Sequence, residues 1–184
     1  MTVFADSFDD SIVTLIKEGG VGVIRTDTLY GIVARADNEM AVERMYEVKG
    51  RTPTKPPIVL IGSTDQLLDQ YHDDTLERLH DLWPAKTSII LPAVKAPAWL
   101  TRGSGSLAYR IPDNEQLRQL LSNTGPLIAP SANPEGEHPA MTISEARAYF
   151  GDMVDFYVDG GIVTDDTPSK LYRLQADGSM ERLR

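Results

Sequence analysis

Short apolar runs recur along this chain at 21–24, 31–36, 58–61, 88–91, 107–111, 127–129 and 153–158. Runs of this length, broken by Gly, Pro and Asp, read as strands buried on both faces. Helical spacing falls between them. Over 8–18, Phe8, Ile12, Leu15 and Ile16 share one face, and Gly19-Gly20 ends the pattern. Asn38 caps a helix expected over 39–49, with Val42, Met45 and Tyr46 turned inward. Further helices are expected over 67–82, with Leu76, Leu79 and Leu82 in register, over 115–121 with Asp113 as cap, and over 144–150. The segments 171–174 and 180–183 flank Asp177-Gly178 and read as a closing hairpin. Strands and helices interleave without strict alternation. That order predicts an α/β fold with a mixed sheet rather than a purely parallel one.

The chain has 184 residues, enough for a single domain spanning 1–184. Hydrophobic residues make up 41% and charged residues 24%, which suits a globular protein with a real core. No apolar run approaches the roughly 20 residues of a membrane helix, so no membrane association is expected. The opening Met-Thr-Val-Phe-Ala-Asp has neither the basic nor the apolar region of a secretory signal. There is no cysteine, which excludes disulfides, a thiol nucleophile and thiolate-held metals, and fits a cytoplasmic location. The formal net charge of -9 argues against holding nucleic acid through its phosphates, because that needs a basic footprint. A local cluster of cations in such a chain needs a local reason.

Two segments supply one. Residues 49–55 gather Lys49, Arg51 and Lys55 on a loop punctuated by Gly and Pro that leads into a buried strand. A lysine in a last helical turn complements the helix dipole and needs no other role. Three cations carried onto a strand-end loop are better suited to an anion, with arginine offering a fork and lysine a point charge. Residues 130–133 place Ser131 and Asn133 two apart, straight after the apolar run at 127–129. They either cap a proline-rich turn or donate to phosphate oxygens. Thr26, Asp27, Thr28 and Tyr30 lie between two apolar runs, as turn residues or as pocket lining. Arg110 interrupts an otherwise buried strand, so it needs an anionic partner, either a carboxylate of the chain or a substrate carboxylate. His72, His80 and His138 show no metal-ligand spacing, no metal site is expected, and neither Gly-x-x-x-x-Gly-Lys nor Gly-x-Gly-x-x-Gly occurs.

In order along the chain stand Thr26-Asp27-Thr28-Leu29-Tyr30-Gly31, Lys49-Gly50-Arg51 with Lys55-Pro56, Arg110-Ile111-Pro112-Asp113, Ala129-Pro130-Ser131-Ala132-Asn133 and Asp159-Gly160-Gly161. This order resembles the YrdC family of threonylcarbamoyl-AMP synthases in its short, single-domain form. The resemblance runs from about residue 8 to residue 174. It departs from the family pattern at Arg25, where proline is usual, at Lys86, and at Lys170 beside Ser169.

The resemblance implies a YrdC-like fold, a twisted mixed β-sheet with flanking helices around a positively charged cavity. It also implies an activity, nucleotidyl transfer that condenses L-threonine, bicarbonate and ATP to threonylcarbamoyl-AMP and pyrophosphate. ATP is then a substrate, and Mg2+ is expected to arrive on it. The product would pass to a downstream tRNA-modifying threonylcarbamoyl transferase complex, and any tRNA binding by the chain itself is expected to be weak. Lys49, Arg51, Ser131 and Asn133 are the expected catalytic residues, with Lys55 beside them on the triphosphate. Arg110 is expected to grip the threonine carboxylate, with Thr26, Thr28 and Ser169 nearby and Tyr30 as a wall. A related carbamoyl-adenylate chemistry and a non-catalytic member that binds RNA, a nucleotide or an amino acid are the alternatives.

Overall fold

In a computed structural model, which describes residues 2–175 and 177–184, ten strands form one twisted sheet flanked by six helices. The strands are β1 (Val3–Ala5), β2 (Gly22–Arg25), β3 (Tyr30–Arg35), β4 (Ile58–Leu60), β5 (Thr87–Pro92), β6 (Ser106–Arg110), β7 (Leu127–Ile128), β8 (Phe156–Val158), β9 (Lys170–Leu174) and β10 (Met180–Arg182). The helices are α1 (Asp10–Lys17), α2 (Glu39–Lys49), α3 (Asp73–Leu82), α4 (Ala98–Thr101), α5 (Glu115–Thr124) and α6 (Ile143–Phe150). The sheet order is β1-β8-β2-β3-β7-β4-β6-β5-β9-β10. It is mixed: β8 runs parallel to β1 and β2, β4 to β6 and β5 to β9, while β2–β3, β3–β7, β4–β7, β5–β6 and β9–β10 are antiparallel.

The two-residue period of the strands divides the core between the two faces of the sheet. Ile24, Val33, Leu60, Leu127 and Phe156 face α1 and α5, packing with Ile12, Ile16, Leu117 and Leu121. Their neighbours Val23, Ile32, Val59, Ile128 and Tyr157 face the opposite side, with α2, α3, α4 and α6. Both faces are covered, which is why these strands read as continuous apolar runs rather than alternating ones. Ile16 and Leu121 are fully buried, so truncating either to alanine costs about 2–5 kcal/mol. Gly22 lies where a Cβ would stand 2.3 Å from the Phe156 ring, so only glycine lets the two strands pack here.

The structure redraws several of the expected elements. The helix expected over 67–82 begins only at Asp73, after a single 3-10 turn at Thr64–Gln66. Leu67 leaves that turn in an extended conformation, φ −62° and ψ 135°, and both Leu67 and Leu68 pack on the core from outside any helix. Helix α5 is capped by Asn114, whose Oδ1 accepts the Leu117 N–H at 2.8 Å, while the Asp113 N–H is donated to Asp27. The strand expected over 153–158 shrinks to Phe156–Val158 behind a 3-10 turn. Strand β1 and helix α4 are additions. The hairpin forms as read, with Met180 opposite Leu174 and Arg182 opposite Tyr172.

Candidate active site

A cavity of about 340 Å³ opens where β3 begins, β7 ends and β4 begins. Its wall includes Thr26, Thr28, Tyr30, Arg51, Arg110, Ser131 and Ser169, so the fold brings together residues that lie up to 143 positions apart (169 − 26). Three arginines, Arg51, Arg110 and Arg184, share this wall with one aspartate, Asp166.

The Ser131 segment is held by β3. Ile32 N–H donates to the Pro130 carbonyl at 3.0 Å, and Ala132 N–H to the Tyr30 carbonyl at 2.8 Å. These bonds extend the sheet past β7 and leave the Ser131 side chain in the cavity wall. On the β2–β3 turn, the Thr26 hydroxyl donates to the Leu29 carbonyl at 2.7 Å and accepts the Thr28 N–H at 3.2 Å. Thr26 therefore shapes the turn. The Thr28 hydroxyl lies 3.2 Å from it. Tyr30 is fully buried, with its hydroxyl bonded to Asp159 at 3.1 Å, to the Gly161 carbonyl at 2.8 Å and to the Gly160 N–H at 3.0 Å. It is a wall whose polar end ties down the Asp159-Gly160-Gly161 loop.

Helix α2 ends at Gly50, whose φ of 61° is the left-handed turn that glycine adopts without strain. That turn sends Arg51 toward the cavity. The Arg51 guanidinium lies over the Tyr46 ring at 5.7 Å and donates Nη2 to the Pro56 carbonyl at 3.0 Å. Its Nε–H is buried without a partner.

Lys49, Asn133 and Lys55 stand outside the cavity wall. Lys49 is buried, and its ammonium donates to the Ser131 carbonyl at 2.7 Å, the Asn133 carbonyl at 2.6 Å and Asn133 Oδ1 at 3.2 Å. All three of its protons are thereby committed to the chain. Burial, reinforced by the Arg51 charge and opposed by Glu135, lowers its pKa from 10.5 to about 8. The Asn133 amide is equally committed, donating to the Pro134 and Glu137 carbonyls at 2.8 Å each. Lys49 and Asn133 thus form a clasp behind the cavity. Lys55 pairs with Glu135, which also accepts the Thr52 N–H and hydroxyl. Those contacts, with the Lys55 hydrogen bond first, hold the Glu135 carboxyl at about 2.

Arg110 finds the first of its two expected partners, a carboxylate of the chain. It is buried and paired with Asp27, Nη2 to Oδ1 at 3.0 Å, yet it lines the cavity and its Nε–H has no partner. Burial lowers its pKa, partly countered by Asp27, and Arg184 lowers it further. Ser169 lies 3.0 Å from the Ser88 hydroxyl. Arg184 was not anticipated from the sequence. Its Nε donates to the Ser169 carbonyl at 3.0 Å and its Nη2 to the Ser169 hydroxyl at 3.3 Å. The hairpin register carries a signal for it, since counting back from Asp177-Gly178 places residue 184 across from residue 170. Of the departures from the family pattern, Arg25 and Lys86 line a different cavity, and Lys170 is exposed on β9. Among the described residues, no three His, Cys, Asp or Glu side chains cluster in a way that could hold a metal ion.

Three guanidinium groups and several small hydroxyls thus line one cleft at the strand ends of an α/β fold, a set of donors suited to an anion. The chain belongs to the Sua5/YciO/YrdC family, whose model, described as "Telomere recombination", matches residues 14–184. It is 35% identical over 159 residues to the threonylcarbamoyl-AMP synthase of Pseudomonas paraeruginosa, covering 84% of this chain and 86% of that one. It is 33% identical over 183 residues to the enzyme of the same name from Chromohalobacter salexigens, covering 97% and 98%. The crystal structure of P. abyssi Sua5 complexed with L-threonine superposes with a TM-score of 0.87 at 26% identity. That match covers all of this chain and 57% of Sua5.

Proposed function

We propose that this chain is an L-threonylcarbamoyladenylate synthase, a nucleotidyltransferase serving threonylcarbamoyladenosine formation in tRNA. The threonine amine takes up carbon dioxide from bicarbonate as a carbamate. A carbamate oxygen attacks the α-phosphorus of ATP, the bond to the β-phosphate oxygen breaks, and pyrophosphate leaves. Water is the remaining product of bicarbonate capture. No side-chain nucleophile takes part, so catalysis rests on holding two anions together and neutralising the charge that develops on the leaving group.

Arg110 grips the threonine carboxylate, with Thr28 and Ser169 beside it. Arg51 and Arg184 face the phosphates, and Ser131 donates its hydroxyl. Lys49 and Asn133 serve catalysis from behind, by fixing the backbone that carries Ser131. Lys55 and Glu135 hold the loop that carries Arg51. Mg2+ would arrive with ATP, and the charge neutralisation it would supply adds to that of Arg51 and Arg184. Any binding of tRNA is weak in a chain of net charge -9.

The observation that carries this reading is Arg110, a buried guanidinium in the cavity wall with an unpartnered donor. It stands in a chain about one-third identical to enzymes named for this reaction, such as the 33% of the Chromohalobacter protein. Pyrophosphate release tests it. Release from ATP should require both threonine and bicarbonate, and release that ignores either one would refute the reaction.

A further inference from the structure

Asp27 stands on the β2–β3 turn between two cavities. One is the active-site cleft, with Arg110 in its wall; the other is a polar cavity of about 690 Å³ lined in part by Asp27, Arg25, Lys86 and Asp113. The Asp27 side chain is 1% exposed and that of Arg110 4%. A carboxylate and a guanidinium buried to this degree are tolerable only as partners. Asp27 Oδ2 also accepts the Asp113 N–H at 3.1 Å, which anchors it to the turn that follows Arg110. The 3.0 Å contact between Oδ1 and Nη2 is close but not aligned as a hydrogen bond, so Oδ1 and Nε of Arg110 both remain without one. The pair is neutral in sum and still holds unused donors.

We propose that Asp27 is a positioning residue that makes the Arg110 subsite selective for a monoanionic carboxylate. The inference rests on the synthase reading, in which Arg110 receives the threonine carboxylate. Asp27 acts in two ways. It fixes the rotation of the guanidinium, and so the direction in which its free donors point. It also cancels the charge of Arg110, so the subsite recognises an anion by fitted hydrogen bonds rather than by excess positive charge. Removing the carboxylate loosens the fork and leaves an uncompensated buried cation. Coulombic attraction scales with the charge of the ligand, so both changes favour a divalent anion over a carboxylate.

Calorimetric titration of the full chain with L-threonine and, separately, with sulfate tests the proposal. Asp27→Asn keeps an oxygen for the Asp113 N–H while removing the charge. It should shift the threonine-to-sulfate affinity ratio about tenfold toward sulfate, and the shift should vanish when Arg110→Gln is also present. Asp27→Glu, which keeps the charge but displaces it, serves if the asparagine variant does not fold. It should weaken threonine while leaving sulfate within about twofold. A ratio unchanged by the folded variant, or a shift that persists in the Arg110→Gln background, overturns the role of Asp27. If the unaltered chain ignores threonine while the Arg110-dependent gain for sulfate appears, the synthase reading fails and the charge-setting role of Asp27 stands.

Discussion

The ammonium of Lys49 lies 2.6 Å from the Asn133 carbonyl, closer than either of its other two acceptors. A cation from the end of α2 thereby fastens the loop after β7. The cleft between them is shaped by that fastening, and Arg51, two residues on, faces it.

Lys49 and Arg51 should therefore respond differently to substitution. Lys49→Met removes the clasp and leaves buried carbonyls unpartnered. It should lower unfolding stability by about 1–3 kcal/mol in urea titrations as well as abolishing turnover. Arg51→Ala should abolish turnover and cost less stability, about 1 kcal/mol, because it gives up one protein hydrogen bond, to the Pro56 carbonyl, and a contact with the Tyr46 ring. Equal stability loss in both variants would contradict this division.

The clasp also sets a pH window. The folded pKa of Lys49 is about 8, below the 10.5 of a free lysine. Between these values the unfolded chain binds more protons than the folded one, so stability rises with pH. The cost of burying the charge is fully present below pH 8 and is relieved by pH 10.5. Relative to Lys49→Met, the unaltered chain should gain on the order of 3 kcal/mol across that window, read from urea midpoints at successive pH values. Turnover should fall with a midpoint near pH 8, where the folded chain loses this proton, as the neutral amine has only two protons for three acceptors.

Glu135 ties the Arg51 loop at its exposed rim. Its folded pKa of about 2 lies below the usual 4.5, so its contribution is present above pH 4.5 and is lost as pH falls toward 2. Glu135→Gln should raise the KM for ATP about two- to fivefold, and the difference should shrink in high salt. A KM for ATP that does not move would mean the loop holds without it.

Arg184 reaches the cleft from the closing hairpin. Arg184→Ala should raise KM about tenfold or more while thermal unfolding stays within a few degrees. A pure loss of stability with unchanged kinetics would make Arg184 a strap for Ser169 rather than a substrate contact.

The sheet was legible because both of its faces are covered, which leaves apolar runs such as 58–61 unmistakable. Helix α2 could be read to the residue, because Asn38 and Gly50 mark its ends chemically. Segment 67–72 misled because its leucines pack on the core from an irregular connection rather than from a helical face. In the site, the order of motifs brought seven of the ten expected residues onto one cleft. Which side chains face the cleft was not legible. Lys49, Asn133 and Lys55 have partners 80 or more positions away, and Asp27 meets Arg110 across the sheet. Spacing along a chain carries no record of such long-range contacts.

The synthase assignment stands most directly on the fate of carbon from bicarbonate. The chain is incubated with ATP, Mg2+, L-threonine and 13C-bicarbonate, and the adenylate product is followed by carbon NMR and mass spectrometry beside pyrophosphate release. A threonylcarbamoyl-adenylate carrying the label, formed in equal amount with pyrophosphate, is the outcome this structure leads to. Pyrophosphate without labelled adenylate, or a folded chain that binds ATP and threonine yet forms neither product, would contradict it.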